Sequence, residues 1–196
     1  MKDTLDFYKL IYEPLFKNGY TKSSNRARPA LSKFNEFMTE NNIKVESVLD
    51  VGCAWYKALS YWRKRGVKAV GVDVSEKIVS KCKKRNFECH LASATDLSVL
   101  EDNSFDLYMA TDVYEHLREE DLLDAINEAK RVTKKYFLIR PHPAMDKRGY
   151  LHLTVWSLKQ WKEFFESNGL KVLFIGDGPK GSKYRNVFLM EFNEGK

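Results

Sequence analysis

The chain has 196 residues, 43% hydrophobic and 31% charged, with a net charge of +6. That composition predicts one soluble globular domain with at most an appendage, and no apolar run approaches the ~18 residues of a membrane-crossing helix. The first twenty residues mix acids and bases into their apolar positions, unlike a signal peptide, and Cys53, Cys82 and Cys89 make an odd count without a framework spacing, so free thiols in a reducing cytoplasm are expected.

Residues 1–46 are predicted to be mainly helical. "LDFYKLIYEPLF" and "PALSKFNEFMTENN" carry apolar residues on a helical period, the second with Pro29 near its start, and the polar "GYTKSSNRAR" links them. The pattern then changes to strands alternating with helices. "ESVLDVG" is a buried strand, and "YKALSYWRKRG" a helix with Ala58, Leu59 and Trp62 on one side. "KAVGVDV" is a second strand, and "SEKIVSKCKKR" a helix with Ser75 as its cap. "FECHLA" and "SFDLYMAT" are the third and fourth strands. "REEDLLDAINEAKRV" is an amphipathic helix with Leu122, Ile126 and Ala129 inward, and "KYFLIRP" is the fifth strand. After a loop, "SLKQWKEFFESNG" is a helix opening on a Ser157/Gln160 capping box, and "LKVLFIG" and "YRNVFLMEF" close the chain as a hairpin joined by "DGPKGSK". Alternation of this kind predicts an α/β fold: a mostly parallel sheet covered by helices on both faces, with ligands beyond the carboxyl ends of its strands.

The basic residues fall in short runs at 63–68, 81–85, 130–135 and 180–185, each on a different element, which reads as solvated faces rather than one anion-binding patch. The Cys82, Cys89 and His90 neighbourhood lacks a second ligand pair, so no metal site is expected and the cysteines are assigned to the core.

The functional signals sit just after strands. "LDVGC" turns from strand to helix through Asp50-Val51-Gly52, and the next strand ends on Asp73, 23 residues later, where a carboxylate can accept hydrogen bonds from both hydroxyls of a ribose. "VLDVGCA", "VGVDVSEKIV", "LASATDLSVLEDNSFDLYMATDVYEHL" and "GYLHLTVWSLKQWKEFFESNGLKV" together resemble, in order and spacing over roughly residues 46–192, the class I S-adenosylmethionine-dependent methyltransferases, in particular small-molecule, methyltransferase-11-like members. The resemblance implies a doubly wound, mostly parallel seven-stranded Rossmann-like sheet in residues 47–196, with a C-terminal antiparallel strand and an N-terminal helical cap in residues 1–46. It implies S-adenosylmethionine as cofactor. Gly52, Cys53 and Ala54 would approach its methionine part, Asp73 its ribose, and Val74, Ser93, Ala94 and Thr95 its adenine. Thr111 and Asp112 would flank the reactive methyl, and Asp50 would orient the loop.

The loop departs from the family's glycine pattern at Ala54 and Tyr56. Tyr56 is the larger departure, because a side chain disfavours positive φ; it either shifts the helix start or lies over the cofactor as a lid. Candidate bases are His142, His152, His116 and Tyr114, and candidate substrate-binding cations are Arg26, Arg28, Arg140 and Arg148, which would suit an anionic or nucleotide-linked acceptor. The expected activity is methyl transfer to an O or N atom of a small molecule. A nucleic-acid (RNA) methyltransferase is the alternative raised by the basic charge, although "ATDVYEHL" replaces the usual Asn/Asp-Pro-Pro-Tyr/Phe signature and no cysteine follows strand four or five. Tyr56 raises a third reading, a non-catalytic binding protein. The pattern leaves the oligomeric state open.

Overall fold

The computed structural model describes residues 4–20, 27–142, 149–176 and 186–193. Arg26, Arg148, the side chain of Arg28 and the link at 177–185 lie outside the described residues.

The elements are helices α1 (Thr4–Lys17), α2 (Ala27–Glu40), α3 (Lys57–Arg63), α4 (Glu76–Lys83), α5 (Leu122–Val132) and α6 (Leu158–Ser167). The strands are β1 (Ser47–Val51), β2 (Lys68–Asp73), β3 (Glu88–Leu91), β4 (Phe105–Thr111), β5 (Thr133–Arg140), β6 (Leu170–Ile175) and β7 (Phe188–Phe192). The strands form one seven-stranded sheet in the order β3-β2-β1-β4-β5-β7-β6. β1 to β5 run parallel, and β7 pairs antiparallel with both β5 and β6. The mostly parallel sheet and antiparallel C-terminal strand expected from the sequence are present.

Alternation along each strand divides the core between two faces. Val48, Leu107, Met109 and Leu138 pack with Phe34, Ala58 and Trp62 of α2 and α3. Leu49, Val51, Tyr108, Phe137 and Ile139 pack with Ile78, Ile126, Trp161 and Phe165 of α4, α5 and α6. Each such side chain contributes about 1.5–3 kcal/mol by leaving water, which holds the strand ends, and so the site, in fixed register.

Local signals act as the sequence predicts at two helix starts. Ser75 Oγ accepts from Ile78 N, and Ser157 and Gln160 form a reciprocal capping box. Two starts differ. α2 begins at Ala27, so Pro29 occupies its first turn, where no N–H is needed. α5 begins at Leu122 rather than Arg118, behind a 3₁₀ turn over Glu119–Asp121. Asp121 sits at that junction, but its carboxylate is taken by Tyr8 and Arg118 and does not cap the helix.

Candidate active site

A cavity of about 160 Å³ lies beyond the carboxyl ends of β1, β2 and β4. Its wall includes Asp50, Gly52, Cys53, Ala54, Asp73, Val74, Ser93, Ala94, Thr111 and Asp112.

The loop after β1 keeps a left-handed backbone at alternate residues: φ is 70° at Gly52, 46° at Ala54 and 55° at Tyr56. Only glycine fits the first position, since a Cβ there would stand 2.5 Å from Val113 Cγ2. The other two carry side chains at a cost of roughly 1–2 kcal/mol each, offset by local contacts. Ala54 N–H donates to Asp73 Oδ2 at 3.0 Å. The Tyr56 ring stacks on Phe87, 5.8 Å between centroids at 20°, with the Arg85 guanidinium 4.9 Å from its centre. Tyr56 is therefore neither a lid nor part of the cavity wall, and α3 still begins immediately after it. Trp55 takes the inward position instead, and its Nε1 donates to Tyr20 O at 2.8 Å.

Gly52 and Cys53 N–H donate to Val72 O, at 2.8 and 3.1 Å, so the loop spends its amides on β2 rather than presenting them to the cavity. Asp73 anchors the loop with one oxygen and accepts Ser75 N–H with the other, at 3.0 Å. Burial pushes its carboxyl up to about 7, against these two amides, which pull it down. Burial also pushes Asp50 well above the usual carboxylate range. The Ser93 hydroxyl lies 2.8 Å from Thr95 Oγ1, which in turn meets Thr4 Oγ1 at 2.8 Å; Thr95 ties α1 to the site and is not in the wall.

α1 roofs the cavity. Tyr8, Tyr12 and Phe16 recur every four residues on its inner face and, with Tyr20, line the space. Tyr8 donates to Asp121 and accepts Arg118 N–H at 3.1 Å, Lys9 pairs with Glu76, and Ser75 donates to Glu13.

At the other end three imidazoles converge. The His116 centroid is 4.8 Å from that of His152, which is 5.0 Å from that of His142. His116 lines the cavity with its ring edge-on to Tyr12, and its Nδ1 lies 2.8 Å from Leu151 O. Beside it Glu115 is fully buried, and burial together with the nearby Asp112 pushes its carboxyl well above the usual range.

The methyltransferase domain model matches residues 49–138. The match runs from within β1 to within β5. The fold of the chain is also that of magnesium protoporphyrin IX methyltransferase from Synechocystis PCC 6803 with bound SAH, at a TM-score of 0.74 and 13% identity, covering 96% of this chain and 98% of that one. A Burkholderia thailandensis 1,6-didemethyltoxoflavin-N1-methyltransferase matches at a TM-score of 0.68 and 11% identity, covering 96% of this chain and 86% of that one. A Bacillus protein, YcgJ, matches at a TM-score of 0.54 and 23% identity; there the chain covers 64% of the relative and 66% of itself is covered. No curated protein sequence matches the chain.

Two further expectations are corrected by the structure. Tyr114 is not a base facing the acceptor: it is fully buried against Trp161 and Phe165, its hydroxyl 3.4 Å from Ala125 O, and burial drives the phenol far above its ordinary pKa. Arg140 is not a free substrate clamp: it is buried and ion-paired with Asp112, joining the tips of β4 and β5. The cysteines are free and buried, with Cys53 Sγ 3.7 Å from Cys89 and 4.0 Å from Cys82, while His90 turns away to Glu88. The residues that sequence reasoning missed are the α1 aromatics, Trp55, Lys57 and Glu115. The four-residue spacing of Tyr8, Tyr12 and Phe16 was the available signal for the first group.

Proposed function

We propose that the chain is a methyltransferase that moves the methyl group of S-adenosylmethionine to an O or N atom of a small acceptor, with residues 1–46 acting as a cap over the site. The observation that carries this reading is the roof: α1 covers the cavity with Tyr8, Tyr12, Phe16 and Tyr20, an enclosure suited to a small molecule and not to a nucleic-acid strand. No helix among the described residues is long and apolar enough to cross a membrane. The buried free thiols suit a reducing, cytoplasmic setting.

The donor set fits the cofactor. Each Asp73 oxygen accepts one amide and keeps a second lone pair for a ribose hydroxyl. Val74, Ala94 and Ser93 give a largely apolar bed for adenine, and Thr111 and Asp112 border the methionine end. Thr95 and Tyr56 act outside this set, as a tie to α1 and as a prop for the loop. Bound S-adenosylmethionine supplies a methyl carbon made electrophilic by its sulfonium. The chain supplies alignment and exclusion of water: α1 closes the space, the Asp112–Arg140 pair fixes the strand tips, and His116, His152 and His142 stand where a proton leaving the acceptor can be taken up. Arg140 is committed to Asp112, which favours a neutral acceptor over an anionic one.

Calorimetric titration with S-adenosylmethionine and SAH tests the cofactor site. SAH release measured over hydroxyl- and amine-bearing small molecules and over RNA tests the acceptor. Turnover with RNA and none with small molecules would overturn this reading.

A further inference from the structure

The cofactor site leaves Glu115 unexplained. It has no exposed surface, no side chain donates to either carboxylate oxygen among the described residues, and only the backbone N–H groups of Glu115 and His142 and the more distant Arg140 act on it. A bound cation offsets the cost of keeping such a carboxylate out of water. His116 Nε2 lies 3.9 Å from Glu115 Oε1. A carbonyl only accepts, so the contact of His116 Nδ1 with Leu151 O makes Nδ1 the protonated nitrogen and leaves the lone pair on Nε2. Holding an imidazole through its other nitrogen is how proteins orient a metal-ligating histidine. His152 completes the group: one ligand atom each from Glu115, His116 and His152 lie within 4.8 Å of one another, all three residues buried.

We propose that Glu115, His116 and His152 bind a divalent first-row transition-metal ion beside the acceptor end of the cavity. Two imidazoles and a carboxylate suit zinc, manganese, iron or cobalt better than calcium, which prefers oxygen alone. Bonds of about 2.1 Å in a tetrahedral site hold ligand atoms roughly 3.4 Å apart. The three groups therefore need to draw in from at most 4.8 Å, by up to about 1.4 Å, a side-chain adjustment. Three protein ligands leave a position open, and His116 is part of the cavity wall, so the ion borders the acceptor. There it polarises an acceptor oxygen and eases loss of the hydroxyl proton to solvent or to His142, the one imidazole of the three that is then not a ligand. The oxygen then forms the new C–O bond as the S–C bond breaks, and that electron pair stays on sulfur. This role rests on the acceptor reading above; binding of the ion does not.

The test uses metal-stripped full-length protein titrated with Mn²⁺, read by loss of the free-ion electron paramagnetic resonance signal, and with Co²⁺, read by its visible absorption. The expected result is one ion per chain, with affinity reduced about tenfold or more by Glu115→Gln and by His152→Asn, while both variants bind SAH as the parent does. Uptake of neither ion overturns the proposal, as does equal affinity in both variants. Cobalt bands of thiolate charge transfer also overturn it, by placing the ion on Cys53, Cys82 and Cys89. Failure of the parent to bind SAH would count against the cofactor site alone and leave the metal result standing.

Discussion

Asp73 Oδ2 accepts the N–H of Ala54 at 3.0 Å, so the residue proposed to hold the cofactor's ribose also holds the loop proposed to border its methionine end. Replacing Asp73 by Asn keeps the shape and removes the charge. SAH affinity should fall by roughly 10- to 100-fold, the loss of about 1.5–3 kcal/mol in charge-assisted hydrogen bonds. Calorimetry measures it, and an unchanged Kd would remove Asp73 from the cofactor site.

The same carboxyl gives a pH signature. Its folded pKa of about 7 stands above the usual 3.8. Its contribution to stability is thus fully present below about pH 4 and is lost as pH rises through about 7, because only the folded state holds the proton in between. Cofactor hydroxyls favour the ionised form, so SAH binding should run in the opposite sense. Affinity should strengthen roughly tenfold from about pH 6 to about pH 7.5, and Asp73→Asn should abolish that dependence.

Tyr56 is a prop. Tyr56→Ala loses the stack on Phe87 and the Arg85 contact, together about 1–2 kcal/mol, and retains the left-handed backbone. Denaturant unfolding should register that loss while SAH affinity stays within about threefold, because the ring is outside the cavity wall. A collapse of affinity in a folded variant would restore Tyr56 to the binding surface.

Arg140 and Asp112 share a buried ion pair at the tips of β5 and β4. Removing one partner strands the other charge, and Arg140→Met should destabilise by about 3–5 kcal/mol. The double variant with Asp112→Leu should recover part of that loss in a thermal-melt cycle. Additive losses would mean that the pair is not coupled.

The roof over the cavity must open for exchange of cofactor and product. Tyr8→Phe removes the hydroxyl that joins Asp121 to Arg118 N and should speed SAH dissociation severalfold. Hydrogen exchange over residues 4–17 should slow on SAH binding. Equal exchange with and without ligand would show that α1 does not close the site.

Much of the fold was legible in the sequence because it was written in short-range code. Strand runs stopped by Gly52 or Pro141, the Ser75 cap and the Ser157/Gln160 box each act within a few residues. The cavity edge was legible for the same reason, as Gly52, Asp73 and Thr111 lie at or just past strand ends. What remained hidden depends on distant partners. Arg140 read as an available cation until β4 brought Asp112 beside it, and Tyr114 as a reactive phenol until α6 buried it. The histidines, at positions 116, 142 and 152, become one group only when the loop after β5 returns to the end of β4. Tyr56 misled because the sequence reveals a disfavoured residue at a glycine position but not Phe87, which supports it from 31 residues away.

β7, late in the chain, lies between β5 and β6. Without residues 188–192, β5 has its backbone unpaired on one side and β6 on both. Until they dock, the sheet exposes the open strand edges that invite pairing with other chains. Docking of five residues completes the core around Phe188 and Met190 and closes the gap between β5 and β6, leaving only the outer edges of β3 and β6 open among the described strands.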